Sequence, residues 1–130
     1  MSAWMLDSVV LIDWFCGRSG VAPFVRAILD GEADGAFSTL SEVELWQGLR
    51  PGEEARHEAL LGFLERVPLD SRIARRAGEL RREFGLKALS LPDSVIAASA
   101  AATGRTVLTR NTNDYEQLRD RIAVEFYQKD

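Results

Sequence analysis

Strand-like and helix-like patterns alternate along almost the whole of this chain, and that alternation restricts it to one fold class. Residues 3–6 form a short apolar run that ends at Asp7. Residues 8–16 read as a helix broken at Gly17 and Gly20, and residues 23–29 as a second helix with Pro23 at its start and Gly31 behind it. A second strand is expected at 35–38, helices at 40–49 and 53–66, and a third strand at 67–69. Residues 71–84 predict an amphipathic helix stopped by Gly85, with Ile73, Ala77, Leu80 and Phe84 on one side. Its other side carries Arg72, Arg75, Arg76, Glu79, Arg82 and Glu83. An Ala-rich helix over 92–102 stops at Gly104; a strand at 106–108, a short helix at 114–120 and a last strand at 122–126 follow. Strands spaced by helices imply a parallel sheet covered on both faces. In such sheets the ligand sits beyond the carboxyl ends of the strands, where strand order reverses. Asp7 and the segment 109–114 fall at such ends.

The 130 residues predict a single domain spanning 1–130, and 46% apolar with 28% charged residues is the composition of a soluble globular protein. Cys16 is the one cysteine and His57 the one histidine, which excludes an internal disulfide and argues against a zinc centre. The apolar N-terminus lacks a basic leader and is interrupted by Asp7 and Asp13, so it does not read as a signal peptide. No stretch approaches the ~18 apolar residues of a membrane span, so no membrane partner and a cytoplasmic location are expected. The net charge of −4 is unpromising for a nucleic-acid binder. Four of the 20 acids reserved for a metal ion would leave 16 against 16 basic residues, and a bound cation reverses the local field.

Each acid near a predicted strand end or helix start has a structural explanation as well. Asp7 is a good helix N-cap. Asp93 follows Ser90 and Pro92, where it would favour a positive helix end. Asp114 could cap the last helix, with Asn111 and Asn113 as turn formers. Glu42 and Glu44 both satisfy a capping-box spacing, from Thr39 and Ser41, and lie about 200° apart on a helical wheel. Spacing alone does not choose between them.

Four segments carry a specific likeness. Met5-Leu-Asp-Ser-Val-Val-Leu-Ile-Asp13, Phe37-Ser-Thr-Leu-Ser-Glu-Val-Glu-Leu-Trp-Gln-Gly48, Leu91-Pro-Asp-Ser-Val-Ile-Ala-Ala98 and Val107-Leu-Thr-Arg-Asn-Thr-Asn-Asp-Tyr115 stand in that order along the chain. They resemble the four motifs of the PIN-domain ribonucleases, in particular the VapC toxins of bacterial toxin–antitoxin pairs. Val9 departs from the family's usual Asn or Ser, with Ser8 as the neighbouring hydroxyl, and Tyr115 stands in place of the usual Phe. The resemblance implies a three-layer α/β/α domain with a parallel sheet of about five strands in the order 3-2-1-4-5. It selects Glu44 over Glu42 and makes Asp7, Glu44, Asp93 and Asp114 a metal-binding catalytic set. Ser8, Thr109 and Asn111 would support that set, and Arg110 would meet substrate phosphate. It further implies Mg²⁺ (or Mn²⁺), an RNA substrate, a VapB-like antitoxin partner and a homodimer. Carboxylate oxygens suit such hard cations.

Other readings keep the fold and change the function. A haloacid-dehalogenase phosphatase wants Asp-x-Asp after the first strand, where residue 9 is Val. A receiver-like signalling module wants a phosphorylatable Asp after the third strand, which Asp70 could supply, and a Lys ending the fifth, for which Lys129 stands too late. A catalytically silent PIN-like binding domain would have lost acids that are all present here. The arginines of 71–84 share their face with Glu79 and Glu83, and pairs such as Arg75 and Glu79 fit i,i+4 support better than an RNA track. Trp4, Trp14 and Trp46 read as core or interface residues, Trp14 and Phe15 as part of a dimer or antitoxin surface, and His57 and Cys16 as packing or surface residues.

Overall fold

The first strand of the chain becomes the middle of its sheet. The computed structural model describes residues 1–130. Its elements run β1 (Ser2–Leu6), α1 (Ser8–Phe15), α2 (Ala22–Leu29), β2 (Ala33–Ser38), α3 (Thr39–Gln47), α4 (Glu54–Leu61), β3 (Glu65–Val67), α5 (Ser71–Phe84), α6 (Leu91–Thr103), β4 (Thr106–Thr109), α7 (Thr112–Tyr115), a 3₁₀ turn (Glu116–Leu118) and β5 (Val124–Phe126). The five strands lie in the order 3-2-1-4-5, as expected. All pairings are parallel, with Met5 opposite Ala36 on one side and Val107 on the other. The chain walks outward from β1 through β2 to β3, then returns to place β4 against the free side of β1. Strand order therefore reverses between β1 and β4, and the crevice beyond their carboxyl ends opens there. A receiver domain has the order 2-1-3-4-5, which this sheet does not match.

Alternation along the strands divides the core in two. Met5, Ala36, Val67 and Val107 join Ile73, Ala77 and Leu80 of α5 and Ile96 and Ala97 of α6 on one face. Trp4, Leu6, Phe37 and Leu108 join Val10, Leu11, Val25, Leu45 and Leu60 on the other. Trp14 and Phe15 are partly buried against this second core. Trp4 is buried and its indole donates to Glu125 (3.0 Å), whereas Trp46 is partly exposed. His57 is a packing residue, stacked on Phe15 with 3.8 Å between ring centroids. No helix is long and apolar enough to cross a membrane.

Helix α5 has the bounds its periodicity predicts. Asp70 caps it by accepting from Ile73 N (2.9 Å), which accounts for that acid without a phosphoacceptor role. The expected Arg75–Glu79 pair does not form; the ion pair on this helix joins Glu83 to Arg121 instead. Arg81 turns to the α5–α6 loop and donates to the carbonyls of Leu86 and Leu89 (both 2.9 Å). Helix α4 stops at Leu61, short of the expected residue 66, because Gly62 ends it and residues 65–67 pair with β2. The third strand therefore begins earlier than expected. The last helix is also shorter, one turn at Thr112–Tyr115 continued by the 3₁₀ turn.

Candidate active site

Asp7 leaves the end of β1 and caps α1, so its structural explanation is correct as far as it goes. Its Oδ1 accepts from Ser8 N (2.8 Å), and that bond is the cap. Its Oδ2 accepts from the Thr109 hydroxyl (2.8 Å) at the end of β4, with Asn111 Nδ2 at 3.5 Å. Asp7 as a whole is 5% exposed. Its pKa is raised to about 6, chiefly by burial; the charges of Asp93 and Glu44 add to the rise, and the bonds from Thr109 and Ser8 oppose it.

Ser8 ties Asp7 to α3. Its hydroxyl donates to Glu44 Oε1 (2.7 Å) and lies 2.8 Å from the Ser41 hydroxyl. A hydroxyl has one proton, so Ser41 must be the donor to Ser8, and the chain runs Ser41 to Ser8 to Glu44. Ser38, rather than Thr39 or Ser41, caps α3. Glu42 is bound elsewhere, taking both Arg66 Nε (2.8 Å) and an Arg66 terminal nitrogen (3.3 Å) at the sheet edge. The choice that spacing left open thus has a physical basis: Glu44 faces Asp7, and Glu42 serves β3.

Asp93 stands in the first turn of α6, which Ser90 caps by accepting from Asp93 N (3.2 Å). It is half-buried. Its pKa is raised mainly by burial, then by the charges of Asp114 and Glu44, against hydrogen bonds from Ser90 and Tyr115. Asp114 lies in the first turn of α7, exposed, and does not cap it; Asn111 holds the cap position. The four acids therefore share one electrostatic region at the reversal between β1 and β4. No group of three acids is gathered closely enough to cage an ion by itself. Mg²⁺ takes one or two carboxylates and keeps several waters, so Asp7 and Asp93 as direct ligands, with the others through water, fit its chemistry.

Arg110 is not free for phosphate. Its Nε and a terminal nitrogen bind Asp13 (2.7 and 3.4 Å), and Tyr127 also donates to Asp13 (2.8 Å). Asp13 is 2% exposed, and its role is hidden in the sequence except as an acid inside an apolar run. Ser41 is legible there only as a residue one turn before Glu44. Tyr115 is legible as a motif residue but not as a hydrogen-bond donor: it is fully buried and its hydroxyl donates to Asp93 Oδ1 (3.2 Å). Burial and the nearby charges of Asp7 and Asp93 hold its pKa well above the usual phenol value.

Beside Glu44 runs a groove of about 490 Å³ lined by Ile12, Phe15, Leu45, Arg50 and His57. The larger concavity, about 660 Å³, lies between α5 and α6 among Arg72, Arg75, Arg76 and Ala102, and none of the four acids lines it.

A family profile for the PIN domain matches residues 4–120. The chain is 25% identical over 118 residues to Ribonuclease VapC19 of Mycobacterium tuberculosis, covering 89% of this chain and 94% of that one. Among solved structures it is similar to a toxin-antitoxin complex from Klebsiella pneumoniae, with 29% identity, a TM-score of 0.72, and coverage of 85% of this chain and 88% of that one. It also shares its fold with VapBC2 from Rickettsia felis bound to a promoter DNA fragment, at 19% identity, a TM-score of 0.77, and coverage of 97% and 99%.

Proposed function

The chain belongs to the PIN-domain family, and on that premise we propose that it is a VapC-type toxin, an endoribonuclease that cuts RNA with a divalent cation, Mg²⁺ or Mn²⁺. The observation that carries this reading is the electrostatic coupling of Asp7, Glu44, Asp93 and Asp114 at the β1–β4 reversal, with Asp7 raised to about 6. Four carboxylates sharing a region repel one another, and a hard cation relieves that repulsion. Asp7 and Asp93 would hold the ion, and Glu44 and Asp114 would complete its surroundings directly or through water. When bound, the ion supplies charge to the phosphate and lowers the pKa of a water that attacks it. The chain's own part is placement. Thr109 and Asn111 orient Asp7, Ser8 orients Glu44, and the Asp13–Arg110 pair steadies the loop that carries Thr109 and Asn111. The fragments would carry 5′-phosphate and 3′-hydroxyl ends. The likeness to toxin–antitoxin complexes supports a VapB-like antitoxin as partner; a homodimer and a cytoplasmic location belong to the same proposal.

RNA cleavage tests this directly. Wild type should cut a single-stranded or looped RNA with Mg²⁺ or Mn²⁺ and stop in EDTA, and Asp7→Ala should lose at least about a hundredfold, the upper end of what losing a mere outer partner of a ligand costs. Cleavage that survives EDTA, or an Asp7→Ala protein as active as wild type, would sink the mechanism.

A further inference from the structure

Each inward-facing carboxylate of the site receives a side-chain donor from a different element. Asp7, just beyond β1, has Thr109 of β4, and Glu44 of α3 has Ser8 of α1. Asp93 of α6 has the Tyr115 hydroxyl of α7. We propose that Tyr115 is a positioning residue for the cation site: its hydroxyl fixes Asp93 through Oδ1 and leaves the other oxygen of that carboxylate to a divalent cation. This rests on the reading that Asp7 and Asp93 hold such a cation.

Three features support it. The Tyr115 ring is 0% exposed and packs in the core cluster that also holds Ile96, Val107 and Leu118, so the hydroxyl has no freedom to wander. Asp93 is a short side chain on the first turn of a helix, half open to solvent, and lacks the enclosure that immobilises Asp7. The charges of both Asp7 and Asp93 also bear on the phenol, so it belongs to the acidic region as well as to the core. Partners of this kind orient ligating carboxylates, and their loss weakens metal binding by roughly 10–100-fold. A buried tyrosine that serves only to fill the core needs some acceptor for its proton. Its replacement by phenylalanine would then leave the cation site unchanged.

Calorimetric titration of Mn²⁺ without RNA separates these roles, using wild type, Tyr115→Phe, Asp93→Asn and the double variant. We expect Tyr115→Phe to fold normally by circular dichroism and to bind Mn²⁺ about tenfold more weakly. In the Asp93→Asn background the same change should have no further effect, because Tyr115 acts through Asp93. If Tyr115→Phe does not fold, 4-methylphenylalanine at this position fills the phenol's volume without a donor and should show the same tenfold loss. A dissociation constant within about twofold of wild type overturns the proposal while leaving the cation site standing, and so does a loss that persists in the Asp93→Asn background. Wild type that takes up no Mn²⁺ overturns both.

Discussion

At the scale of single residues, the site is built by giving each carboxylate a specific donor, and the pairings decide between look-alikes. Glu42 and Glu44 are indistinguishable by spacing, yet one is held by Arg66 and the other by Ser8. Substituting each by Gln should expose the difference. Glu44→Gln removes a charge from the acidic region and should lower RNA cleavage by at least about tenfold. Glu42→Gln touches an exposed ion pair worth at most about 1 kcal/mol and should leave cleavage within about twofold of wild type. Equal losses in both variants would show that the Ser41–Ser8–Glu44 chain does not mark the functional acid. The motif likeness selects Glu44 over Glu42, and in the structure Glu44 is tied to the Asp7 side by Ser8 and Ser41, whose hydroxyls converge only when α1 meets α3.

At the scale of elements, the loop from β4 to α7 is the piece that carries most of the support for Asp7. Arg110 sits between Thr109 and Asn111, both of which reach Asp7, and is tied down by Asp13. Removing one partner of a buried pair leaves the other charge uncompensated, at a cost of about 3 kcal/mol. Arg110→Ala should therefore be less stable by up to roughly that amount, read as a lower denaturant midpoint at unchanged m, leaving Asp13 with Tyr127 as its remaining side-chain partner. An unchanged midpoint would mean that Arg110 is free to serve substrate, as the sequence suggests. Elements also mark where the sequence is least legible. Helix α5 has a strong 3.6-residue stripe and is legible to the residue. Strands β3 and β5 are three residues each and owe their existence to the strands beside them, so no local pattern could fix their ends.

At the scale of the whole molecule, placing an acid in the interior makes stability depend on pH. Asp7 has a folded pKa of about 6 against an ordinary 3.8. Between those values the unfolded chain releases the proton while the folded chain keeps it. Stability therefore falls as pH rises through that window and stays low above it, by about 3 kcal/mol at most for a shift of this size. Asp7→Asn should abolish that fall and melt several degrees higher than wild type at about pH 7.5, in metal-free buffer. A variant that melts lower there, or a wild type whose stability rises across the window, would contradict the direction of the shift. The overall architecture is legible because the alternation of patterns is spread along the chain. The network around Asp13 is not, because Tyr127 lies 114 residues away in sequence.

The parallel pairing of β1 with β4 also sets a clock. Asp7 and Thr109 are 102 positions apart, and β1 has only one neighbour until β4 arrives. At about 5–20 residues per second, a ribosome takes roughly 5–20 s to bridge that interval. During that time β1 is an open sheet edge, and Asp7 lacks the hydroxyl that orients it. A nascent chain of this design cannot assemble its acidic centre before most of it has been synthesised, and a chain cut off before β4 would keep an unpaired strand without the centre.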